Sequence, residues 1–510
     1  MLTACASEKD AGTTFTARLL SDPPTLDPAH TTDTVAGGVV RQIFDGLVDL
    51  DPVTLEIRPA VAEAWVEEDG GTSYLFTIRP GVLFHDGTPL TTRDVRASFE
   101  RVLAPGTASE RPWVLLDLLG AAAFREGRAD SIAGIEVLDE RRVRLRLERP
   151  SALFLPFLAM EAASIVPAAR AGDPRLGETP VGCGPFRVES WRRDVEVRLA
   201  GFERYYGGAP EIQTLRYRII PERTTALEEY RRGTIDLLDQ APPGQLETLR
   251  HERGGEVREW PILAIAYIGF NMEKPPFRGD AALRRAFNHA VDREAICRVV
   301  LEGAAEPIAG VLPPGLRWGT EAPEGYAFDV GKARALLAEA GYPEGRGLEE
   351  IVLWHRADGL VQKVCEVMQA NLAAIGAPVR LRSADWGAYL DATNRGESAF
   401  FLATWYADYP DPDNFLYVLL HSSMKGAAGN DAFYSNPRFD VLVEEARRVT
   451  ARGERARLYA EAESVAVADA PWVFCYAMRD VALVRAEWEG ITLPAVGDWA
   501  IDFSRVRKRP

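Results

Sequence analysis

The hydrophobic pattern of the 510-residue sequence changes near Trp260. Before this residue, several tracts alternate apolar and polar side chains, the period of a strand with one buried face. These tracts are SYLFTIR (73–79), RVRLRLE (142–148), VEVRL (195–199) and IQTLRYRII (212–220). After it, helical patterns at 281–303 and 361–376 alternate with short strands. We therefore predict an α/β domain in the second half of the chain.

Two helix starts can be placed from the sequence. Thr91 and Asp94 have the spacing of a capping box and predict a helix through DVRASFERVL (94–103). Asp280 is the predicted cap of the helix over 281–303. A chain of this length ordinarily holds two or three domains, and frequent prolines and glycines between 150 and 190 predict a crossing between domains.

The balance of charge bears on the class of partner. The sequence has 59 Lys and Arg against 75 Asp and Glu, a formal charge of -16. A nucleic-acid-binding surface needs an excess of basic residues to neutralise phosphates, so we expect no nucleic acid partner. The sequence also lacks a run of 18 or more apolar residues, and no membrane-spanning helix is predicted.

The first five residues, MLTAC, match the signal at which bacterial lipoproteins are cut and acylated on cysteine, here Cys5. The basic and apolar segments of a signal peptide are expected upstream of Met1. Several acyl chains on Cys5 would anchor the protein to a membrane surface. The other cysteines are widely spaced and form no CxxC, so zinc and thioredoxin chemistry are not expected, while one or two disulfides stay open.

The stretch TWYADYPDPDNF (404–415) places three carboxylates among aromatic residues and prolines. A calcium loop starting at Asp411 fails, because its fifth, sixth and twelfth positions carry Phe, Leu and Ser. We expect no metal site and no cofactor. Asp408 is either a turn residue or the anchor of a cationic ligand within an aromatic wall. Asp411 and Asp413 are expected to be mainly turn and capping residues.

A hydrolase is the competing hypothesis. Ser422 to Lys425 (SSMK) matches the SxxK pair of penicillin-recognising enzymes, and Tyr434 to Asn436 (YSN) resembles their second motif. Glycines follow the SSMK segment at once and no KTG follows it, whereas such a pair must open a buried helix. We therefore interpret this segment as a surface loop and do not expect an enzyme.

Several segments together resemble the extracytoplasmic solute-binding proteins of family 5, the oligopeptide, dipeptide and nickel receptors of ABC importers. The resemblance runs essentially end to end. Its segments are TLDPAHTTD (25–33), FDGLVDLDP (44–52), PAVAEAWVEEDGGTSYLFTIRPGVLFHDGTPLTTRDVRASFERVL (59–103), VGCGPFRVESW (181–191), YIGFNMEKPPFRGDAALRRAFNHAVDREAI (267–296) and WYADYPDPDNF (405–415). The third and fifth segments are long and specific.

The resemblance implies a periplasmic-binding-protein-like fold of type II, with mixed sheets flanked by helices and three lobes. Two of the lobes would close like a hinge over the ligand. The implied ranges are a tether over 1–11, lobe I over 12–48, 176–262 and 479–510, an inserted lobe II over 49–175, and lobe III over 263–478.

The resemblance also implies site residues. In peptide-binding members the acidic residue of a W-x-x-D segment bonds the peptide amino group, which maps to Asp408 after Trp405, with Tyr406 beside them. An arginine before the paired W-x-x-Y segment (386–389) can bond the peptide carboxylate, and the matching residue is Arg356.

Residues of the first half are implied as well. Thr31 and Thr32 lie where lobe I approaches the ligand backbone, and the glycine turn VGCGPF contributes Cys183 and Gly184. Cys183 stands where relatives usually carry threonine, which puts a side-chain contact there in doubt.

The implied function is the capture of a short peptide, or of a related small cationic or zwitterionic solute, and its delivery to the permease subunits of an ABC importer. The protein is expected to be a monomer in the periplasm or cell envelope, anchored by lipid. A receptor for a metal chelate, a sugar or an opine on the same scaffold is the alternative, because family membership does not settle the class of ligand.

Overall fold

The computed structural model describes residues 13–242, 244–279 and 281–510. Cys5 and Asp280 lie outside these residues. Contacts divide the chain into two units: unit 1 comprises Met1–Arg258 and Val481–Pro510, and unit 2 comprises Glu259–Asp480. The boundaries implied by the resemblance, at 262/263 and 478/479, lie a few residues away, and the separation of a third lobe stays a prediction.

Unit 1 is rich in strands. Its strands up to Leu238 are β1 (Thr14–Leu19), β2 (Val48–Leu50), β3 (Ile57–Pro59), β4 (Ala62–Glu68), β5 (Ser73–Ile78), β6 (Ile135–Val137), β7 (Arg142–Arg146), β8 (Phe186–Arg192), β9 (Glu196–Gly201), β10 (Thr214–Ile219) and β11 (Leu237–Leu238). Its helices are α1 (Thr34–Ile43), α2 (Thr92–Leu103), α3 (Ala121–Arg125), α4 (Phe154–Leu158), α5 (Arg223–Arg232) and α6 (Leu246–Arg253). The strands predicted from two-residue alternation are therefore confirmed.

The sheets of unit 1 have different topologies. One is antiparallel, in the order β4-β5-β7-β6, and falls within residues 49–175. In the other, β1 is parallel to β10 and β11, while β9 is antiparallel to β10 and β8. Helix α2 begins as predicted: the Asp94 carboxylate accepts hydrogen bonds from the backbone N of Thr91 at 2.8 Å and from its hydroxyl at 2.9 Å.

Unit 2 alternates helices with strands, as the sequence predicts. Its strands are β12 (Val257–Phe270), β13 (Ala305–Pro307), β14 (Ile351–Arg356), β15 (Val379–Ala384), β16 (Phe400–Tyr406) and β17 (Trp472–Val484), of which β12 and β17 carry the chain across the unit boundary. Its helices are α7 (Ala282–Ala290), α8 (Arg293–Ala295), α9 (Val330–Glu339), α10 (Gly359–Ala374), α11 (Trp386–Asn394), α12 (Asp413–Leu420), α13 (Pro437–Arg448) and α14 (Arg452–Asp469). The chain then returns to unit 1, where β18 (Trp488–Glu489) pairs with β19 (Arg507–Lys508).

The prediction of one helix over 281–303 is wrong. The helix ends at Ala290, and a π-helical turn over Ile296–Val300 follows the short α8. Asp292 causes the break, because its side chain accepts a hydrogen bond from Ala295 N at 2.9 Å and caps a new start. The spacing of apolar residues continues across the break, so periodicity alone could not show it.

The sheet of unit 2 runs in the order β15-β14-β16-β12-β17. Strand β14 is parallel to both β15 and β16, so the carboxyl ends of these three strands meet at one edge, whereas β12 is antiparallel to β16. Phe270, Phe277, Phe287 and Phe400 pack together in the core beside the sheet, with ring centroids 4.6 to 6.1 Å apart. This edge is where an α/β sheet ordinarily offers a ligand site.

Candidate ligand-binding site

The carboxyl edge of the parallel strands in unit 2 collects the residues predicted for that half of the chain. Arg356 is the last residue of β14, Tyr406 is the last residue of β16, and Asp408 follows two residues later. Trp386 opens α11 directly after β15. Arg356, Trp405, Tyr406 and Asp408 are therefore brought to one edge of one sheet, which the sequence alone could not establish.

Asn414 holds the W-x-x-D segment in place. Its Oδ1 atom accepts hydrogen bonds from Nε1 of Trp405 at 2.8 Å and from the backbone N of Asp408 at 3.1 Å. Asn414 is fully buried in the first turn of α12, whereas Asp408 is exposed and Tyr406 is 48% exposed. The Asp408 carboxylate and the Tyr406 ring thus face solvent, on a segment whose backbone is held by the buried Asn414. Sequence reasoning missed Asn414, although its place in the matched segment WYADYPDPDNF was a signal.

Asp411 and Asp413 are buried, unlike Asp408. Asp411 forms an ion pair of 2.8 Å with Arg455 and accepts a hydrogen bond from Asp413 N at 3.0 Å. Asp413 accepts from the Tyr409 hydroxyl at 2.7 Å and lies 3.4 Å from Nε of Arg447. Burial raises the pKa of Asp413, and Arg447 opposes that shift. The prediction that these residues are mainly turn and capping residues is therefore incomplete, because both also form ion pairs and the pair of Asp411 with Arg455 is buried.

Arg356 presents a cation at the same edge. Its guanidinium lies 3.8 Å from the Asp358 carboxylate, and its side chain is 40% exposed. Asp358 caps the following helix α10 through the backbone N of Leu360 and Val361, so its charge is shared with that helix start. The Nε atom of Arg356 is buried and has no hydrogen-bond partner among the residues the structure describes. The guanidinium is therefore weakly engaged and available to an anion.

The paired W-x-x-Y segment supplies aromatic surface. The ring of Trp386 is 55% exposed and stacks on the buried ring of Tyr389, with centroids 5.8 Å apart. The Tyr389 hydroxyl donates to the backbone O of Leu402 on β16 at 2.8 Å. Helix α11 is thereby tied to the strand that carries Trp405.

The predicted threonines of unit 1 differ in exposure. Thr31 is buried, and its hydroxyl donates to the backbone O of Asp27 at 2.9 Å. Thr32 is exposed, and its backbone O accepts from the Arg111 guanidinium at 3.0 Å. The hydroxyl of Thr31 is used within the loop, so Thr32 is the threonine with a side chain accessible to a solute.

The glycine turn of unit 1 packs against the end of α1. Gly184 N donates to the backbone O of Ile43 at 2.9 Å, and a Cβ on Gly184 would lie 2.7 Å from the Ile43 carbonyl carbon. The Cys183 side chain is fully buried, and burial raises the pKa of its thiol. This environment favours a packing role for the turn, while ligand contact by Cys183 or Gly184 stays a prediction.

The other cysteines add no covalent chemistry in the described part of the chain. Cys183, Cys297, Cys365 and Cys475 are buried free thiols, so no disulfide joins them. No group of three or more potential ligating side chains for a metal ion occurs among the described residues. Within the same residues, no helix is long and apolar enough to cross a membrane.

The SSMK segment does not have the geometry of an acylating pair. Ser422–Met424 form a single 3-10 turn, and the Ser422 backbone N donates to Asp440 at 3.1 Å. The Lys425 ammonium donates to the Glu273 carboxylate at 2.7 Å and is thereby engaged in an ion pair. The segment is a turn with a paired lysine.

Unit 1 contains a polar cavity of about 500 Å³ whose charged residues largely satisfy each other. Arg41 pairs with Asp49 at 3.0 Å and with Glu161 at 3.1 Å. Asp45 accepts a hydrogen bond from the Tyr205 hydroxyl at 3.0 Å, and burial raises the pKa of Asp45 to about 7. These contacts among the residues of the cavity indicate that they stabilise the fold of unit 1.

Comparisons with known proteins agree on one family. The model of bacterial extracellular solute-binding proteins, family 5, matches residues 56–427. Heme-binding protein A of Haemophilus influenzae is 32% identical over 85% of this chain and 81% of its own length. A probable di/tripeptide-binding protein 5 of Pseudomonas aeruginosa is 30% identical over 91% of this chain and 89% of its own length.

Solved structures show the same architecture. The periplasmic binding protein DppA from Helicobacter pylori, in complex with the peptide STSA, is 28% identical, with a TM-score of 0.79 over 98% of both chains. HbpA2 from Haemophilus parasuis is 26% identical, with a TM-score of 0.82 over 98% of this chain and 100% of that one. The fold is therefore that of a periplasmic binding protein, and the chain belongs to family 5 of the bacterial extracellular solute-binding proteins.

Proposed function

We propose that the protein captures a short peptide outside the cytoplasm and delivers it to the permease of an ABC importer. The observation that carries the proposal is that two opposite charges lie at the same edge of one sheet. Asp408 follows β16, and Arg356 ends the neighbouring parallel strand β14. A peptide has an ammonium at one end and a carboxylate at the other. Charge-assisted hydrogen bonds from both ends would fix its orientation.

The relatives alone do not decide the ligand. Similar chains include a heme-binding and a dipeptide-binding protein, so the class of ligand differs between them. A sugar requires neither Asp408 nor Arg356, whereas a zwitterion uses both. The two charges therefore support a zwitterionic ligand, and a short peptide is the zwitterion that we propose.

Native mass spectrometry tests the class of ligand directly. The protein is purified from its own cells without denaturation. Ligands released from it by collisional activation in the mass spectrometer are then identified by fragmentation. We expect short peptides. Release of a haem, a sugar or a metal chelate, with no peptide in any preparation, would contradict the proposal.

In unit 1, we assign a ligand contact to Thr32, whose side chain is exposed. Thr31, Cys183 and Gly184 would act on the ligand only through the shape of their turns, because the Thr31 hydroxyl is already bonded and Cys183 is buried. Thr32→Val should weaken binding of the released peptide, whereas Thr31→Val should chiefly lower the melting temperature. Equal affinities for wild-type protein and Thr32→Val would remove this contact.

A lipid anchor on Cys5 and a monomeric state complete the proposal. Both rest on the resemblance, and the MLTAC segment supports the anchor. Incorporation of labelled palmitate into wild-type protein, and its loss in Cys5→Ser, would support the anchor. Equal labelling of both proteins would show that a residue other than Cys5 is acylated. Mass photometry of Cys5→Ser, which lacks the proposed site of acylation, should give the mass of one chain.

We also propose hinge closure, which is implied by the resemblance to family 5. A ligand that binds one arrangement of the protein shifts the population towards it, so the bound protein should be more compact than the empty one. Small-angle scattering with saturating peptide should show a smaller radius of gyration. An unchanged profile would contradict closure without contradicting peptide binding.

A further inference from the structure

The cavity of unit 1 is large enough to hold a small solute. Its volume of about 500 Å³ lies within the range of about 300 to 1,000 Å³ that is usual for small-molecule sites. Its walls come from segments that are distant in the chain, within 41–60, 159–164, 205–211 and 494–507, and from Arg79 and Pro185. All of these belong to unit 1. The cavity is therefore formed by the fold of this unit alone.

Three of the five arginines in the walls are used in ion pairs. Besides the bonds of Arg41 described above, Arg58 pairs with Asp49 at 2.6 Å. Arg507 pairs with Glu489 at 2.7 Å. The charges of these three arginines are therefore balanced by nearby carboxylates.

Arg79 and Arg505, the other two arginines of the walls, form no ion pair with any residue that the structure describes. The Nε atom of Arg79 donates to the backbone O of Ala60 at 2.6 Å, which leaves both terminal amino groups of its guanidinium. Arg505 is exposed, and its side chain donates no hydrogen bond to another described residue. A guanidinium presents its N–H donors in a fork that matches a carboxylate or a phosphate. Two such forks are thus unused in one cavity.

The acidic residues of the walls do not pair with these two guanidinium groups. Glu211 lies 3.9 Å from Arg507, and Asp502 accepts a hydrogen bond from the backbone N of Ser504 at 2.9 Å. Burial raises the pKa of Asp45 to about 7, so this residue is largely neutral below that pH. The two guanidinium groups therefore keep a positive charge that an anion would balance.

Tyr206 holds the Arg79 side chain at the cavity. The guanidinium carbon of Arg79 lies 5.8 Å from the centroid of the Tyr206 ring, a cation–π contact. The Tyr206 ring packs on that of Tyr205 with centroids 4.6 Å apart, and the Tyr205 hydroxyl donates to Asp45 at 3.0 Å. Arg79 is therefore positioned before any ligand binds, which lowers the entropic cost of binding.

The cavity is separate from the residues of the candidate peptide site. Asp408 and Arg356 belong to unit 2, whereas every residue of the cavity walls belongs to unit 1. Thr32, the ligand contact proposed in unit 1, is not one of the wall residues. An anion in the cavity would thus occupy a second site.

We propose that the cavity of unit 1 binds a small anionic solute, and that Arg79 and Arg505 hold its carboxylate or phosphate group. This second site goes beyond the peptide function proposed above and does not depend on it. The remainder of an organic anion would contact the apolar side chains of the walls, which are Phe44, Met160, Pro185, Val496 and Ile501.

Calorimetry with two anions and a neutral analogue tests this site. Succinate supplies carboxylates, inorganic phosphate supplies the phosphate group, and succinamide keeps the shape of succinate without its charges. Ionic strength is held constant with sodium chloride, so that general screening does not differ between titrations. Wild-type protein should bind succinate or phosphate with a Kd of about 1 mM or tighter and should not bind succinamide. Binding of one anion alone would identify the group that the site recognises.

Substitution of single arginines locates the bound anion. Arg79→Gln and Arg505→Gln should each weaken binding by about tenfold or more, because each removes a charge-assisted contact. Arg204→Gln is the matched control, since Arg204 is exposed, forms no ion pair within the described part of the chain and lies outside the cavity walls. Arg356→Gln is a second control, because Arg356 offers a guanidinium to carboxylates in unit 2. Both controls should bind the anion as wild-type protein does.

Several results would overturn the proposal. These are failure of both anions to bind wild-type protein, equal affinity for succinamide and succinate, and unchanged anion affinity in Arg505→Gln. Loss of binding in Arg356→Gln would place the anion at the candidate peptide site instead. Arg79→Gln also loses the contacts with Ala60 and Tyr206, whereas Arg505→Gln removes no hydrogen bond or ion pair among the described residues. The melting temperature of Arg505→Gln without ligand should therefore equal that of wild-type protein, and only wild-type protein should gain stability from the anion.

Discussion

The Oδ1 atom of Asn414 accepts a hydrogen bond from Nε1 of Trp405 at 2.8 Å, and this bond joins the first turn of α12 to the end of β16. The same oxygen accepts from Asp408 N at 3.1 Å. One buried amide thereby sets the position of both the indole ring and the proposed ammonium anchor. Asn414 is a positioning residue for this site.

Asn414→Ala should weaken both stability and peptide binding. Loss of two hydrogen bonds at roughly 1 kcal/mol each predicts a fall of about 2 kcal/mol in the free energy of unfolding. Asp408 would lose its fixed backbone, and affinity should fall about tenfold. Asn371→Ala is the control, because its side chain accepts one hydrogen bond from Asp292 N at 3.0 Å and lies on α10. It should lower stability alone; an equal loss of affinity in both variants would deny Asn414 a positioning role.

Substitutions of Asp408 and Asp411, both in the stretch 404–415, should affect different quantities: ligand affinity for Asp408 and stability for Asp411. Asp408→Asn leaves the ammonium of the enclosed peptide without its partner, so affinity for a peptide should fall by about a hundredfold, on the order of 3 kcal/mol. Because Asp408 is exposed in the protein without ligand, stability should change little. Asp411→Asn breaks the buried pair with Arg455 and should cost about 3 to 5 kcal/mol of stability. Calorimetry and denaturant unfolding on both variants measure this. Small, equal losses of affinity in Asp408→Asn and Asp411→Asn would indicate that Asp408 is a turn residue and not the ammonium anchor.

The elements with one buried face could be predicted from the sequence, because burial of one face produces alternation along a strand. Strand β5 shows it, with Tyr74, Phe76 and Ile78 buried. The capping of α2 by Thr91 and Asp94 was equally local. Partners distant in the chain could not be predicted: Arg455 follows Asp411 by 44 residues, and no local spacing connects them.

The site was partly predictable for the same reason. Trp405 and Asp408 are three residues apart and belong to one matched segment, so the sequence predicts both as site residues. Arg356 lies on a different strand, and only the pairing of β14 with β16 brings it to the same edge of the sheet as Asp408.

Arg356 should determine the response to the peptide carboxylate. Wild-type protein should bind a dipeptide more tightly than its C-terminal amide, because the guanidinium pairs with the free carboxylate. Arg356→Gln should weaken binding of the acid and remove the difference in affinity between acid and amide. The substitution in the protein and the change of acid to amide in the peptide form a double-mutant cycle, which isolates the energy of this contact. Arg382→Gln is the control, since Arg382 is exposed and stacks on Trp354 at 3.8 Å. If Arg356→Gln still discriminates acid from amide, another group binds the carboxylate.

The Asp45 network of unit 1 predicts a specific dependence of stability on pH. Burial raises the pKa of Asp45 to about 7 in the folded protein, above the value of about 4 in the unfolded chain. Between these values the folded protein holds a proton that the unfolded chain has released, so the free energy of unfolding falls as pH rises from about 4 to about 7 and this contribution is constant above that range.

Asp45→Asn removes this titration, and its Oδ1 can still accept from Tyr205. The variant should therefore match wild-type protein near pH 4 and become more stable by on the order of 2 kcal/mol at pH 8, because each pKa unit corresponds to ~1.4 kcal/mol and water reaches part of the side chain. Asp49→Asn should do the opposite: Arg41 and Arg58 lower the pKa of Asp49 against its burial, so the variant should be less stable at neutral pH, and the difference from wild-type protein should disappear as pH falls through that lowered pKa. Urea unfolding at a series of pH values measures both curves, and parallel curves for wild-type protein and Asp45→Asn would show that Asp45 titrates normally.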